Sequence, residues 1–173
     1  SPAMRAGLQP GQQLLSINGH TVVDVLDYRF YGYDPVSHLS LKNKDGSTQK
    51  LTIHKAEGED LGLNFDSYLM DEMRSCANHC IFCFVDQMPP GMRQTLYFKD
   101  DDARLSFLQG NYITLTNLTE REAQRIIDLR ISPINVSVHT TDPQLHCTML
   151  GNKNAVRSLD YIRAFCKAGI VMN

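Results

Sequence analysis

From Gly110 onward the chain alternates short β-branched runs with capped helical segments, and this alternation limits the available folds more than any other feature. GNYITLTNL reads as a β-rich run. TEREAQRIIDLR follows as an amphipathic helix, opened by a capping box of Thr119 and Glu122. PINVSVH is the next strand, with Val136 and Val138 inside a short apolar run. DPQLHCTMLG predicts a short helix with Asp142 as cap, Pro143 at its first position and Gly151 just past its end. A further helix is predicted over 154–167, ending at Ala168-Gly169 and leading into IVMN. Strand alternating with helix is the sequence mark of βαβ units on a parallel sheet, so the fold class expected is α/β.

The first 60 residues obey a different rule. Short apolar pieces, QLLSI, SHLSLKN and QKLTIHK, are separated by Pro10-Gly11, Asn18-Gly19, Asp45-Gly46 and Glu57-Gly58. NKDGS between the last two pieces is a hairpin signal. A small β-rich domain is expected over 1–60 and a second domain over 66–173, joined through the polar stretch HKAEGEDLG. No internal repeat or low-complexity tract interrupts either part.

Composition narrows the class of function. The chain has 173 residues, of which 42% are hydrophobic and 21% charged, enough for a real core. A formal net charge of -2 and a pI near 6.3 supply no basic field for nucleic acid. No apolar run approaches the roughly 18 residues of a membrane helix, and no secretory signal is recognisable, so no membrane association and a cytoplasmic location are expected. Five cysteines, an odd number, argue against a secreted disulfide scaffold and for metal binding or chemistry. Ser1 at the start and the strand-like IVMN at the end suggest a fragment of a longer protein, trimmed on both sides.

SPAMRAGLQPGQQLLSINGHTV resembles the middle of a PDZ domain: Ser-Pro-Ala, Ala-Gly-Leu, an apolar strand and then Asn-Gly. PDZ domains bind an extended peptide by adding it to a sheet edge. The resemblance therefore implies a peptide or protein partner, although the carboxylate-binding loop and first strands would precede Ser1. A purely structural role, positioning the rest of the protein, stands equally beside it.

CANHCIFCF places Cys76, Cys80 and Cys83 at i, i+4 and i+7. A buried helical stripe would explain that spacing, but Arg74, Ser75, Asn78 and His79 are polar and Pro89-Pro90-Gly91 breaks the chain soon after. Zinc held by three thiolates and His79 is a second reading. Zinc sites usually pair two knuckles, however, and Cys147 and Cys166 have no close partner; both are expected to be core thiols. The third reading is an iron-sulfur cluster on three thiolates, which leaves one iron open to another ligand.

CxxxCxxC with an aromatic residue before the last thiol, ahead of a βαβ series, resembles the radical S-adenosylmethionine superfamily. That resemblance implies a 4Fe-4S cluster on Cys76, Cys80 and Cys83 and S-adenosylmethionine on the open iron. It also implies reductive cleavage to a 5'-deoxyadenosyl radical that takes hydrogen from a substrate, and an electron donor such as flavodoxin or ferredoxin. Phe82 would lie near the adenine. Thr116 and Asn117 stand near the place of the superfamily's Gly-Gly-Glu motif, which is itself missing, and Ser137 and His139 would face the same mouth. The stretch DQMPPGMRQTLYFKDDDARLSFLQGNYITLTNLT, with the PDZ-like segment in front, is similar to one bacterial family of iron-sulfur oxidoreductases carrying a domain of unknown function. The fold implied is a partial parallel (β/α) barrel behind a PDZ-like domain, with cluster assembly but no turnover expected from this length of chain.

Two further readings complete the expectations. The carboxylate run Asp100-Asp101-Asp102 is expected to be a solvated face, with a cationic substrate or partner as the other possibility. A PDZ-like binding module with a structural zinc or cysteine site is the alternative to the enzyme.

Overall fold

The computed structural model describes residues 1–173 and divides into two compact units, Ser1–Glu72 and Met73–Asn173. No helix in either is long and apolar enough to cross a membrane.

The first unit is a four-stranded antiparallel sheet with two short helices. Helix α1 (Pro2–Arg5) precedes β1 (Gln13–Ile17) and β2 (His20–Thr21); α2 (Val25–Tyr31) then leads to β3 (Val36–Lys42) and β4 (Thr48–His54), in the sheet order β2-β1-β3-β4. The Asn18-Gly19 pair makes the tight β1–β2 turn with φ of 52° and 83°, the double positive φ that a two-residue hairpin of matching twist requires. NKDGS closes the β3–β4 hairpin as expected. There the Asn43 N–H donates to the Ser47 carbonyl, and Asp45 Oδ1 accepts from the Ser47 N–H at 2.9 Å. Alternate residues of β3, Leu39 and Leu41, join Ile17, Ile53, Leu61, Ala3 and Tyr28 in the core. The second helix went unread in the sequence; Asp24 caps it by accepting from the Leu26 N–H.

The second unit is built of helices around parallel pairings. Its helices are α3 (Ala103–Gln109), α4 (Glu120–Asp128), α5 (Pro143–Leu150) and α6 (Val156–Lys167), preceded by a 3-10 turn over Gln94–Tyr97. Both predicted caps form. Thr119 and Glu122 exchange the two hydrogen bonds of a capping box, and Asp142 caps α5 with Pro143 in its first turn and left-handed Gly151 at its end.

Three extended segments lie side by side in parallel. Ile113 pairs with Val136 and Ile134 with Met172, through bonds such as Ser137 N to Ile113 O at 2.8 Å and Val136 N to Asn173 O at 2.9 Å. Ile113, Ile134, Val136, Phe165 and Ile170 form the core beneath α4 and α6. Of the partial parallel barrel that was expected, the structure shows these short parallel pairings and no closed barrel. GNYITLTNL contributes only Ile113 to the pairing, because Leu115 turns to a left-handed φ of 61° and ends the extended run.

Candidate functional site

The loop bearing Cys76, Cys80 and Cys83 has little regular structure of its own, so its backbone bonds run to other segments. Cys76 N donates to Lys99 O at 2.7 Å, His79 N to Leu150 O at 2.9 Å and Ile81 N to Met149 O at 3.0 Å. Ser75 and Asp100 add an antiparallel bridge. Within the loop, Cys83 N reaches Cys80 O at 3.1 Å and Gln87 N reaches Cys83 O at 3.2 Å, a tight turn that brings Cys80 and Cys83 together. Gly151 accommodates this docking. A Cβ there would come well inside van der Waals contact distance of the His79 carbonyl oxygen, so the end of α5 approaches the loop as only glycine allows.

Each of the three thiols is half-buried. Burial pushes the Cys76 thiol up to about 11, with the charges of Asp101 and Cys80 adding to the rise and Asn78 opposing it. Cys80 is raised by burial first and then by Cys83. A nearby cation acts on them too: Lys99 Nζ, bonded to Asp86 Oδ2 at 2.6 Å, lies within electrostatic reach of Cys76 and Cys83. No three His, Cys, Asp or Glu side chains converge as ligands of one ion. A single tetrahedral zinc needs such convergence, whereas a cluster, whose irons are bridged by sulfides, takes its thiolates from more widely spaced positions. Three half-buried thiols on one loop, with Lys99 nearby, have the donor chemistry of the second arrangement.

The remaining residues singled out in the sequence divide into two groups. Thr116 and Asn117 reach the cysteine loop itself: Thr116 Oγ1 donates to Asn78 Oδ1 at 3.0 Å, and Asn117 Nδ2 donates to the Ser75 carbonyl at 3.2 Å. The Thr116 hydroxyl is therefore engaged, by Asn78 and by Thr114 Oγ1 at 2.9 Å. Phe82, 41% exposed, sets its ring 4.8 Å from that of His139, and Ser137 Oγ lies 3.5 Å from His139 Nε2. Behind His139, at 6.2 Å between ring centroids, is buried His146, whose Nε2 meets Ser158 Oγ at 3.0 Å. Burial, and then His146, holds His139 below the usual imidazole range, which favours the neutral ring. Phe82, Ser137 and His139 are thus together, at the end of the second parallel segment.

Two expectations need correction. The Asp100-Asp101-Asp102 run is not a solvated face. Asp101 and Asp102 are 2% and 1% exposed, and only Asp100 stays outside, accepting from Asn111 Nδ2 at 2.7 Å. Asp102 caps α3 and binds the Arg104 guanidinium at 2.7 and 2.9 Å, and Asp101 accepts from the Thr114 N–H at 2.6 Å. Nor is Cys166 a core thiol: it is exposed, because the neighbouring Phe165 takes the inward position on α6. Cys147 is half-buried, with its thiol directed to Lys153 O at 3.5 Å.

Sequence reasoning missed Asn78, Asp101, Lys99 and Asn152. The signal within reach was Asn78, a polar residue between two cysteines where the surrounding pattern gave it no turn to make.

Comparison with known proteins finds two families along the chain. Residues 1–42 match the PDZ domain family. Neither a curated protein nor a solved structure matches the chain. Residues 55–173, well over half of the sequence, match the radical SAM-like domain family, and the chain belongs to that family.

Proposed function

We propose that the chain is the cluster-bearing part of a radical S-adenosylmethionine oxidoreductase, with a PDZ-like module over 1–60 and the core over 66–173. Cys76, Cys80 and Cys83 would hold a 4Fe-4S cluster, and S-adenosylmethionine would bind its open iron. When bound, that group supplies one electron for reductive cleavage of the sulfonium and so hydrogen-atom abstraction from a substrate. The observation that carries the reading is the set of three half-buried cysteines on one loop, docked by backbone bonds to the end of α5 and by Asn78 and Asn117 to the end of the first parallel segment, within a chain of the radical SAM-like family.

The chain's own residues have separate tasks in this reading. Lys99 offsets negative charge at the thiolates, while Asp86 keeps its ammonium in place. Phe82 and His139 form an aromatic face, suited to a flat base such as the adenine. Ser137 orients the His139 ring, and the carbonyls at Thr116 and Asn117 would accept from the cationic amino group of S-adenosylmethionine. The PDZ-like module would take an extended peptide, and a flavodoxin or ferredoxin would deliver the electron.

Anaerobic loading with iron and sulfide tests the ligand assignment. Close to four irons per chain are expected, with loss of most of them on Cys76→Ser, Cys80→Ser or Cys83→Ser and none on Cys147→Ser or Cys166→Ser. Equal iron content in all five variants contradicts the assignment.

A further inference from the structure

We infer that Asn78 is a positioning residue that holds the cysteine loop in its docked shape before any metal arrives. The geometry is independent of the cluster reading, and only the consequence for metal uptake rests on it. Asn78 lies between Cys76 and Cys80 and is 2% exposed. Its Nδ2 donates to Thr114 Oγ1 at 2.9 Å, and its Oδ1 accepts from Thr116 Oγ1 at 3.0 Å and from Asn152 Nδ2 at 2.8 Å. Both acceptor sites of the carboxamide oxygen are thereby used. Thr114 Oγ1 gives its single proton to Asp101 Oδ2 at 2.5 Å, so it is left to accept, from the Asn78 amide and from Thr116, whose N–H and hydroxyl oxygen lie 3.4 and 2.9 Å away.

These partners sit 36, 38 and 74 residues away along the chain. One side chain therefore ties the loop both to the end of the first parallel segment and to the α5–α6 connection. A loop without a regular ladder has few other means of fixing its shape, and its docking bonds from His79 and Ile81 run to the last turn of α5, next to Asn152. The backbone at Leu115, between the two threonines, is left-handed at φ 61° and fully buried. Such a conformation in a non-glycine residue persists where its surroundings over-determine it, and the Thr114–Asn78–Thr116 bonds do so. Ordering the loop during folding removes an entropy cost that would otherwise be met when ligands assemble.

The test uses the metal-free chain and amide hydrogen exchange. In Asn78→Ala, exchange at His79 and Ile81 is expected to accelerate at least roughly tenfold, from the loss of three part-buried hydrogen bonds, while protection in α6 is unchanged. A general loss of fold would release α6 as well. Thr116→Val removes one bond to the same amide and is expected to give a smaller acceleration at the same two residues. Should Asn78→Ala fail to fold, Thr116→Val decides. Iron uptake on anaerobic loading is expected to slow in the order of the exchange effects. Unchanged exchange at His79 and Ile81 in the folded variants overturns the inference. A wild-type chain that takes up no iron, yet shows the exchange pattern, supports the role of Asn78 and refutes the cluster reading.

Discussion

Replacing Gly151 by alanine isolates the contact between α5 and the cysteine loop. The residue has a φ of 58°, and its N–H caps the last turn of the helix, so an L side chain meets the usual penalty for left-handed backbone, roughly 1–2 kcal/mol. Its new Cβ would also press on the His79 backbone, with the His79 Cβ only 3.1 Å away. That contact is with main chain and has no flexible side chain to give way, so an overpacking cost of about 1–3 kcal/mol is added. The sum, about 2–5 kcal/mol, is a large share of the roughly 5–15 kcal/mol by which domains are stable. Relief comes most readily by undocking the loop, at the bonds from His79 to Leu150 and from Ile81 to Met149. Urea unfolding of the metal-free chain should show the destabilisation, and anaerobic loading should show reduced iron per chain. Gly151→Asn, which tolerates the left-handed backbone better but still carries a Cβ, should retain the loading defect with a smaller conformational cost. An alanine variant that unfolds within about 0.5 kcal/mol of wild type and loads iron normally would refute this account of the docking.

Other expectations concern the two units separately. Asp102→Asn breaks a buried ion pair with Arg104 and should cost about 3–5 kcal/mol in urea unfolding. Burial alone would raise the Asp102 carboxyl, but its bonds from Arg104 and the Arg74 N–H outweigh that and hold it below the ordinary value. Its contribution is therefore present above the unfolded pKa near 4 and is lost as pH falls through the lower folded value, and the acid limb of wild-type stability should flatten in the variant. In the first unit, burial and the neighbouring Asp60 push Tyr28 up to about 12. The unfolded chain ionises this phenol first, so stability should fall as pH rises from about 10 toward 12. Absorbance at 295 nm should show an ionisation near pH 12 that Tyr28→Phe removes, and persistence of that step in the variant would contradict the assignment.

Local signals were legible in the sequence because their physics is local. Thr119 with Glu122, Asp142-Pro143 with Gly151, Asn18-Gly19 and NKDGS each specify a cap or turn through residues a few positions apart, and each is found where it was read. Ile113 and Val136 fell within the expected parallel runs for a similar reason, since β-branched runs between capped helices leave few other pairings. What was not legible depends on distant partners. Asp101 and Asp102 look like a solvated charge run until Thr114, Arg104 and the Arg74 N–H are brought to them. Helix α3 was hidden for the same reason, because its cap is Asp102. Asn78 carries no local signature, since its partners are 36 to 74 residues away. The β-rich run read over GNYITLTNL is cut short at Leu115, where a left-handed residue ends the first extended segment that a strand pattern would have continued.

The central claim, that Cys76, Cys80 and Cys83 carry a cluster with an iron open to S-adenosylmethionine, is tested most directly by electron paramagnetic resonance. The chain is loaded anaerobically with iron and sulfide, reduced, and measured with and without S-adenosylmethionine. The account predicts a brown protein whose reduced-cluster signal shifts when S-adenosylmethionine is added. A colourless protein holding stoichiometric zinc, with no signal to shift, would contradict it.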